Sequence, residues 1–242
     1  MTKGVAMGIR AGGDPRALPD YRTLCTEMAR LGHPACPDVD WQSIEQCCLA
    51  LFAGNGADLQ TAAAYALARS HLAGMDGMSE GVAVLETLSR GDAKPWPRGV
   101  SARAEILSGL FGSWQAVLRE MEINICDLAG LGLLKAQLEQ LRSTLVDQNP
   151  ASIMALEGLL QQIGQRASRL EREAQAVVLV APDGRQRSSS HSALHSPSQS
   201  CPGRTPPTVA HHSPRIKKRR ALWIGWLAAA LFGLILALAP RR

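Results

Sequence analysis

The residues with the most suggestive chemistry lie in one short stretch, "HPACPDVDW", residues 33–41. It brings a base, a thiol and two carboxylates together as His33, Cys36, Asp38 and Asp40. A nucleophilic cysteine needs a base that a third group holds in place, and no second motif in the chain supplies that group. The prolines and aspartates instead favour a loop that ends one helix and caps the next. We therefore interpret this stretch as structural.

A second set of metal-binding residue types lies in the Ser/Pro/His-rich stretch 181–214. Its members are His191, His195, Cys201, His211 and His212. Their spacing matches no zinc pattern, and the six cysteines of the chain form no C-x-x-C pair. Phosphate-binding glycine loops and H-E-x-x-H are also missing from the sequence. We predict no metal, no cofactor and no enzymatic activity; a pocket with several convergent ionisable groups would favour an enzyme instead.

The positive charge of the chain is confined to its C-terminal quarter. Residues 1–180 carry 16 Lys and Arg against 20 Asp and Glu, a net charge of −4, whereas residues 181–242 carry 10 against 1, a net charge of +9. A nucleic-acid interface needs clustered Lys and Arg on the folded part of the protein. We therefore predict no nucleic-acid partner.

Residues 221–239 contain no charged side chain and are predicted to span a membrane once. As a helix they would be roughly 28 Å long, close to the thickness of the hydrocarbon core. Five basic residues in 215–220 precede them and two follow, which places the N-terminal body in the cytoplasm. Trp223 and Trp226 would lie at the interface. Small residues that would let two such helices approach closely are Gly225, Ala229, Gly233 and Ala237.

Upstream of the linker, every periodic segment has a helical period, so the fold class is predicted to be all-α. Asp40 can cap a helix on which Trp41 and Ile44 share the core face, and Asp58 lies at the N-terminus of the next helix, which ends near Gly74.

Regular apolar seams run along the last two helices of the body, through Leu131, Leu134, Leu138, Leu141 and Leu145 and then through Ile153, Leu156, Leu160, Ile163, Ala167, Leu170, Ala174 and Val177. A helical bundle ends in a helical hairpin, whose turn Asn149 and Pro150 favour. We favour intrachain packing of the two hairpin arms, but the second arm is longer, so a homo-oligomer stays an alternative. The predicted organisation is a flexible N-terminus (1–17), a helical domain (18–125), the hairpin (126–180), a disordered linker (181–214) and a basic flank with transmembrane anchor (215–242).

Three helical motifs occur in order within the N-terminal helical domain: D-W-x-x-I-E, G-x-D-L-Q-x-A and G-x-x-G-x-x-x-G, followed by a "WP" pair. Together they resemble the ImpA N-terminal domain family of type VI secretion systems, and most closely its membrane-anchored VasL-type members. The motif residues are Asp40, Trp41, Ile44, Glu45, Gly56, Asp58, Leu59, Gln60, Thr61, Ala62, Gly74, Gly77, Gly81, Trp96 and Pro97, and we add Arg69, which follows the second motif.

The resemblance implies a non-enzymatic, membrane-tethered accessory component of a bacterial type VI secretion apparatus. Its partners would be baseplate, sheath or membrane-complex proteins. The alternative is a tail-anchored helical adaptor unrelated to secretion. The motif residues are expected to determine the fold rather than to contact partners, since packing explains most such positions. For Arg69 three alternatives stay open: pairing with Glu45, pairing with Asp58, or solvation.

Overall fold

The computed structural model describes residues 9–32, 39–91, 95–147 and 150–180, and within these ranges the regular structure is helical. No strand forms there apart from one isolated bridge between Ala11 and Ala57. The all-α prediction is therefore confirmed for the described part of the chain. Its helices are α1 (Pro19–Ala29), α2 (Trp41–Gly54), α3 (Leu59–Arg90), α4 (Val100–Glu120), α5 (Leu128–Leu145) and α6 (Pro150–Val180), with 3₁₀ turns at Arg30–Gly32 and Ile125–Asp127.

Helix α3 folds back on itself at Gly74. This residue has φ 61° and ψ −132°, a conformation that glycine adopts without the steric cost of a side chain. Beyond it the helix returns so closely that a Cβ at Gly81 would lie 2.6 Å from the Cβ of Ala66. In a straight helix these two positions would be roughly 22 Å apart. Thus α3 consists of two arms, 59–73 and 75–90, which agrees with the predicted helix end near Gly74.

The two arms of α3 lie at the centre of the body. Helices α2, α4 and α5 all pack against α3, α1 packs on α2, and α6 packs on α4 and α5. Every residue from Leu59 to Ala68 is buried except Gln60. Alanines make up much of this arm, and their small side chains allow neighbouring helices to approach closely from several sides.

Helices α5 and α6 form the predicted hairpin, and they pack against each other within the chain. The leucine seam of α5 is fully enclosed: Leu131, Leu134, Leu138, Leu141 and Leu145 are at most 1% exposed. On α6 the buried face is wider than a single seam, because this helix also contacts α4. Leu159 is therefore buried although the seam predicted Leu160, which is only partly buried.

The N-terminal segment pairs with the body through its backbone. The N–H of Gly12 donates to the carbonyl of Ala57 (2.8 Å), and the N–H of Ala57 donates to the carbonyl of Arg10 (2.8 Å). The sequence predicts residues 1–17 to be flexible, and the structure describes residues 9–17 of this segment with these bonds. Backbone pairing leaves no periodic side-chain pattern, which explains why the sequence did not predict it.

Several predicted features lie outside the described residues. These are His33, Cys36 and Asp38, the linker 181–214, and the segment 215–242 with Trp223, Gly225, Trp226, Ala229, Gly233 and Ala237. Among the helices within the described ranges, none combines the length and the apolar character needed to cross a bilayer.

Two glycine-to-alanine variants test the close contact of the α3 arms. A Cβ at Gly77 would lie 1.9 Å from the carbonyl oxygen of Arg69, so Gly77→Ala must push the arms apart. We expect it to lower the free energy of unfolding by about 2 kcal/mol or more. Gly132→Ala is the control: apart from its chain neighbours and the backbone of its own helix, no described atom lies within 4 Å of the added Cβ, and we expect a gain of up to about 1 kcal/mol.

Urea denaturation of the chain lacking residues 215–242 measures both values. Equal effects of the two substitutions would contradict the close approach of the arms.

Candidate functional site

The motif residues of α2 and α3 form two clusters at opposite ends of the first arm of α3. At its N-terminal end, Asp58 is the centre of what we call the cap cluster, which also contains Gln60 and Thr61. Near its C-terminal end, Arg69 is the centre of the arginine cluster, which also contains Glu45 and Glu80. The first arm of α3 therefore carries both clusters, and each fastens it to different neighbours.

In the cap cluster, Asp58 caps the N-terminus of α3 and is fully buried. One carboxylate oxygen accepts the N–H groups of Gln60 (3.0 Å) and Thr61 (2.9 Å), and the other accepts the hydroxyl of Thr61. Burial raises the pKa of Asp58 to about 6, and the hydrogen bonds from Thr61 and Gln60 only partly oppose this rise. The carboxyl group thus caps the helix at a considerable desolvation cost.

Neighbouring segments are tied to the cap cluster by hydrogen bonds. The hydroxyl of Tyr21 on α1 donates to Gln60 Oε1 (2.8 Å). The N–H of Leu59 donates to the carbonyl of Trp96 (2.8 Å), whose own N–H donates to the carbonyl of Gly12 (3.2 Å). The "WP" pair therefore lies in the loop before α4 and connects the N-terminal segment to the start of α3.

In the arginine cluster, one guanidinium group bridges two carboxylates on different helical segments. Arg69 Nη1 lies 3.0 Å from Glu45 Oε1 on α2, and Nε lies 2.6 Å from Glu80 Oε2 on the second arm of α3. The three side chains are only 13–21% exposed. Burial acts against the charge of Arg69, but the two carboxylates outweigh it and raise the pKa of Arg69. Of the three alternatives for Arg69, the structure shows pairing with Glu45.

Trp41 adjoins the arginine cluster and stacks on His71 of α3. The two rings are 3.8 Å apart between centroids and inclined by 8°. Burial lowers the pKa of His71 to about 4, so this imidazole is neutral at neutral pH. Sequence reasoning placed Trp41 on the core face beside Ile44; Ile44 is fully buried, whereas Trp41 is partly buried against the histidine. Neither His71 nor Glu80 was among the predicted residues.

The remaining motif residues serve packing and helix ends. Asp40 accepts the N–H of Ser43 (3.0 Å), which confirms its predicted cap of α2. Ala62 is fully buried, and Gly56 has φ 85° in the connection between α2 and α3. Pro97 is buried in the loop before α4.

The ionisable groups of these clusters hold neighbouring helical segments together through hydrogen bonds and ion pairs. Burial shifts the pKa values of Asp58 and His71 towards their neutral forms, and these two residues lie near opposite ends of the first arm of α3. Burial raises the pKa of the Cys25, Cys47 and Cys48 thiols, which favours the unreactive protonated form. Within the described ranges, His, Cys, Asp and Glu side chains form no group of three that could hold a metal ion. The side chains of the two clusters cap a helix and form ion pairs, and Trp41 stacks on His71 beside them.

Residues 3–112 match a protein-family model described as the N-terminal region of ImpA, of the type VI secretion system. The fold is similar to a solved structure from Burkholderia cenocepacia, the N-terminal domain including the conserved ImpA_N region of the TssA component of the type VI secretion system. The TM-score is 0.54 at 16% sequence identity, over 67% of this chain and 88% of that one. Identity this low supports a shared fold. No curated protein matches the chain.

The raised pKa of Asp58 predicts that its charge opposes folding above about pH 6. The folded state holds its proton more tightly than the unfolded state, whose carboxyl has an ordinary pKa near 4. The contribution of Asp58 to the free energy of unfolding therefore falls by about 1–3 kcal/mol as the pH rises from about 4 through 6. Asp58→Asn keeps a capping oxygen but cannot ionise.

The measurement is the free energy of unfolding of both proteins by urea denaturation between pH 4 and 8. The difference between wild type and Asp58→Asn should shift in favour of the variant up to about pH 6 and then level off. A difference that does not change with pH would show that Asp58 is not held at a raised pKa.

Proposed function

We propose, from the match of residues 3–112 to the ImpA N-terminal family model of the type VI secretion system, that the chain is a membrane-tethered accessory component of such a system. In this proposal it has no enzymatic activity, and its helical body binds baseplate, sheath or membrane-complex proteins during assembly. The observation that carries the proposal is the family match itself. The similarity in fold to the TssA N-terminal domain supports it.

The contacts of the motif residues agree with an assembly role. Asp58, Arg69 and Trp41 are engaged by Thr61, by two glutamates and by His71, so their side chains stabilise the body. A rigid helical body held by such contacts can present a preformed surface to a partner at low entropic cost. Partners would then bind the outer faces of the helices rather than the motif residues themselves.

The membrane tether rests on the sequence of the C-terminal segment. Residues 221–239 carry no charged side chain, and the five basic residues in 215–220 favour a cytoplasmic location of the side that precedes them. The linker 181–214 is poor in large apolar residues and would let the body reach partners away from the bilayer. We infer a single-pass inner-membrane protein with its body in the cytoplasm, and self-association through the anchor or through α6 remains part of this proposal.

Cell fractionation tests the tether. The full chain should sediment with inner membranes and resist carbonate extraction, because a spanning helix is not released by charge screening. The chain ending at Pro214 should be recovered in the soluble fraction with the helical circular dichroism of the body. If this shortened chain still sediments with membranes after carbonate treatment, residues 215–242 are not the anchor.

Purification from cells with an active secretion system tests the partners. The tagged chain should retain baseplate, sheath or membrane-complex subunits, and deletion of its gene should reduce sheath assembly or persistence. Gly132→Ala should retain the same subunits, whereas Gly77→Ala should lose them in proportion to its loss of folded protein.

Normal sheath behaviour after the deletion, in a strain without a second copy of the gene, would favour the tail-anchored adaptor unrelated to secretion.

A further inference from the structure

A polar groove of about 510 Å³ runs between the C-terminal end of α4 and the middle of α6. We call it the arginine groove. It lies outside residues 3–112 and contains none of the motif residues. Its lining combines guanidinium and carboxamide groups, from Arg119 on α4 and from Gln161, Gln162, Gln165, Arg166 and Arg169 on α6.

Hydrogen bonds between α4 and α6 hold the walls of the arginine groove in place. Arg166 donates to the carbonyls of Arg119 (3.2 Å) and Met121 (3.3 Å) at the end of α4, where carbonyl groups have no partner within the helix. Gln162 donates to the carbonyl of Gln115 (3.0 Å). The groove is thus preformed, and its central arginine is fixed by the backbone of the facing helix.

The arginine groove concentrates positive charge on a body that is otherwise acidic. Residues 1–180 carry a net charge of −4, yet three arginines meet here. Burial, followed by the nearby charges of Arg169 and Arg119, lowers the pKa of Arg166, which agrees with this crowding. Arg169 pairs with Glu173 (2.9 Å), but their side chains are 77% and 49% exposed. An exposed pair of this kind contributes little, so a ligand carboxylate can take the place of Glu173.

We propose that the arginine groove binds an acidic peptide segment of a partner protein. Guanidinium groups bind carboxylates through two parallel hydrogen bonds, which suits Arg119 and Arg169 to glutamate or aspartate side chains. The glutamine carboxamides offer both donors and acceptors, as a peptide backbone requires. A lipid headgroup would use the guanidinium groups but has no row of amides to match the glutamines. The chemistry of the groove therefore favours the peptide.

The test uses the full chain in phosphatidylcholine nanodiscs and a fluorescein-labelled peptide of alternating glutamate and serine. Fluorescence anisotropy gives its affinity for wild type and for two double variants. Arg119→Gln with Arg169→Gln removes the exposed charges of the groove and leaves Arg166, which joins α4 to α6. Arg22→Gln with Arg98→Gln removes the same charge from exposed positions elsewhere. The basic flank 215–220 is present in all three proteins, so its contribution is common to them.

The groove variant should bind the peptide at least about tenfold more weakly than wild type, and the control variant should bind it as wild type does. Equal affinities of both variants and wild type would overturn the proposal, since the peptide would then bind elsewhere on the chain. A wild-type affinity no higher than for the matching glutamine–serine peptide would also overturn it. Displacement of the peptide by short-chain phosphatidylglycerol as effectively as by unlabelled peptide would show a headgroup site instead. None of these outcomes depends on the secretion proposal, because the peptide is synthetic.

Discussion

The close contact between the two arms of α3 is the constraint on which the rest of the body depends. Gly77 lies against the backbone of Arg69, and Gly81 lies against Ala66 and the indole ring of Trp114 on α4. Since α2, α4 and α5 all pack on α3, the separation of its arms sets the distance between the surfaces that these helices cover. A wider separation would displace the core residues of three other helices.

The arginine cluster turns this backbone contact into a specific arrangement of helices. Glu80 reaches Arg69 only because the chain reverses at Gly74, and Glu45 reaches it only when α2 lies in one register against α3. The cost of desolvating three charges offsets much of their attraction, so the cluster contributes little net stability. Loss of one partner, however, would leave the remaining charges uncompensated in a largely buried place. The cluster therefore disfavours other registers of α2 more than it stabilises the observed one.

Sequence reasoning succeeded where the signal is local. The caps at Asp40 and Asp58, the helix end at Gly74 and the leucine seam of α5 follow from residue types and spacing within one or two turns. It failed where contacts depend on the tertiary arrangement: the Trp41–His71 stack and the Arg69–Glu80 pair join different helical segments, and no periodicity connects them. The resemblance to the ImpA N-terminal family is confirmed by the match over residues 3–112, while the VasL-type anchoring stays a prediction.

The clusters at α3 and the arginine groove differ in whether their charged side chains are already paired within the body. In the clusters at α3, the carboxylates and the guanidinium of Arg69 satisfy one another or the backbone, so they have little capacity left for a ligand. In the arginine groove, Arg166 is held by α4 carbonyls while the guanidinium of Arg169 projects into solvent with an exposed partner. A charge that is already desolvated and paired adds nothing to recognition, whereas an exposed one in a preformed groove gains a partner on binding. Recognition by this body is therefore expected on the surface of α4 and α6, with the clusters at α3 determining the shape of the body that presents it.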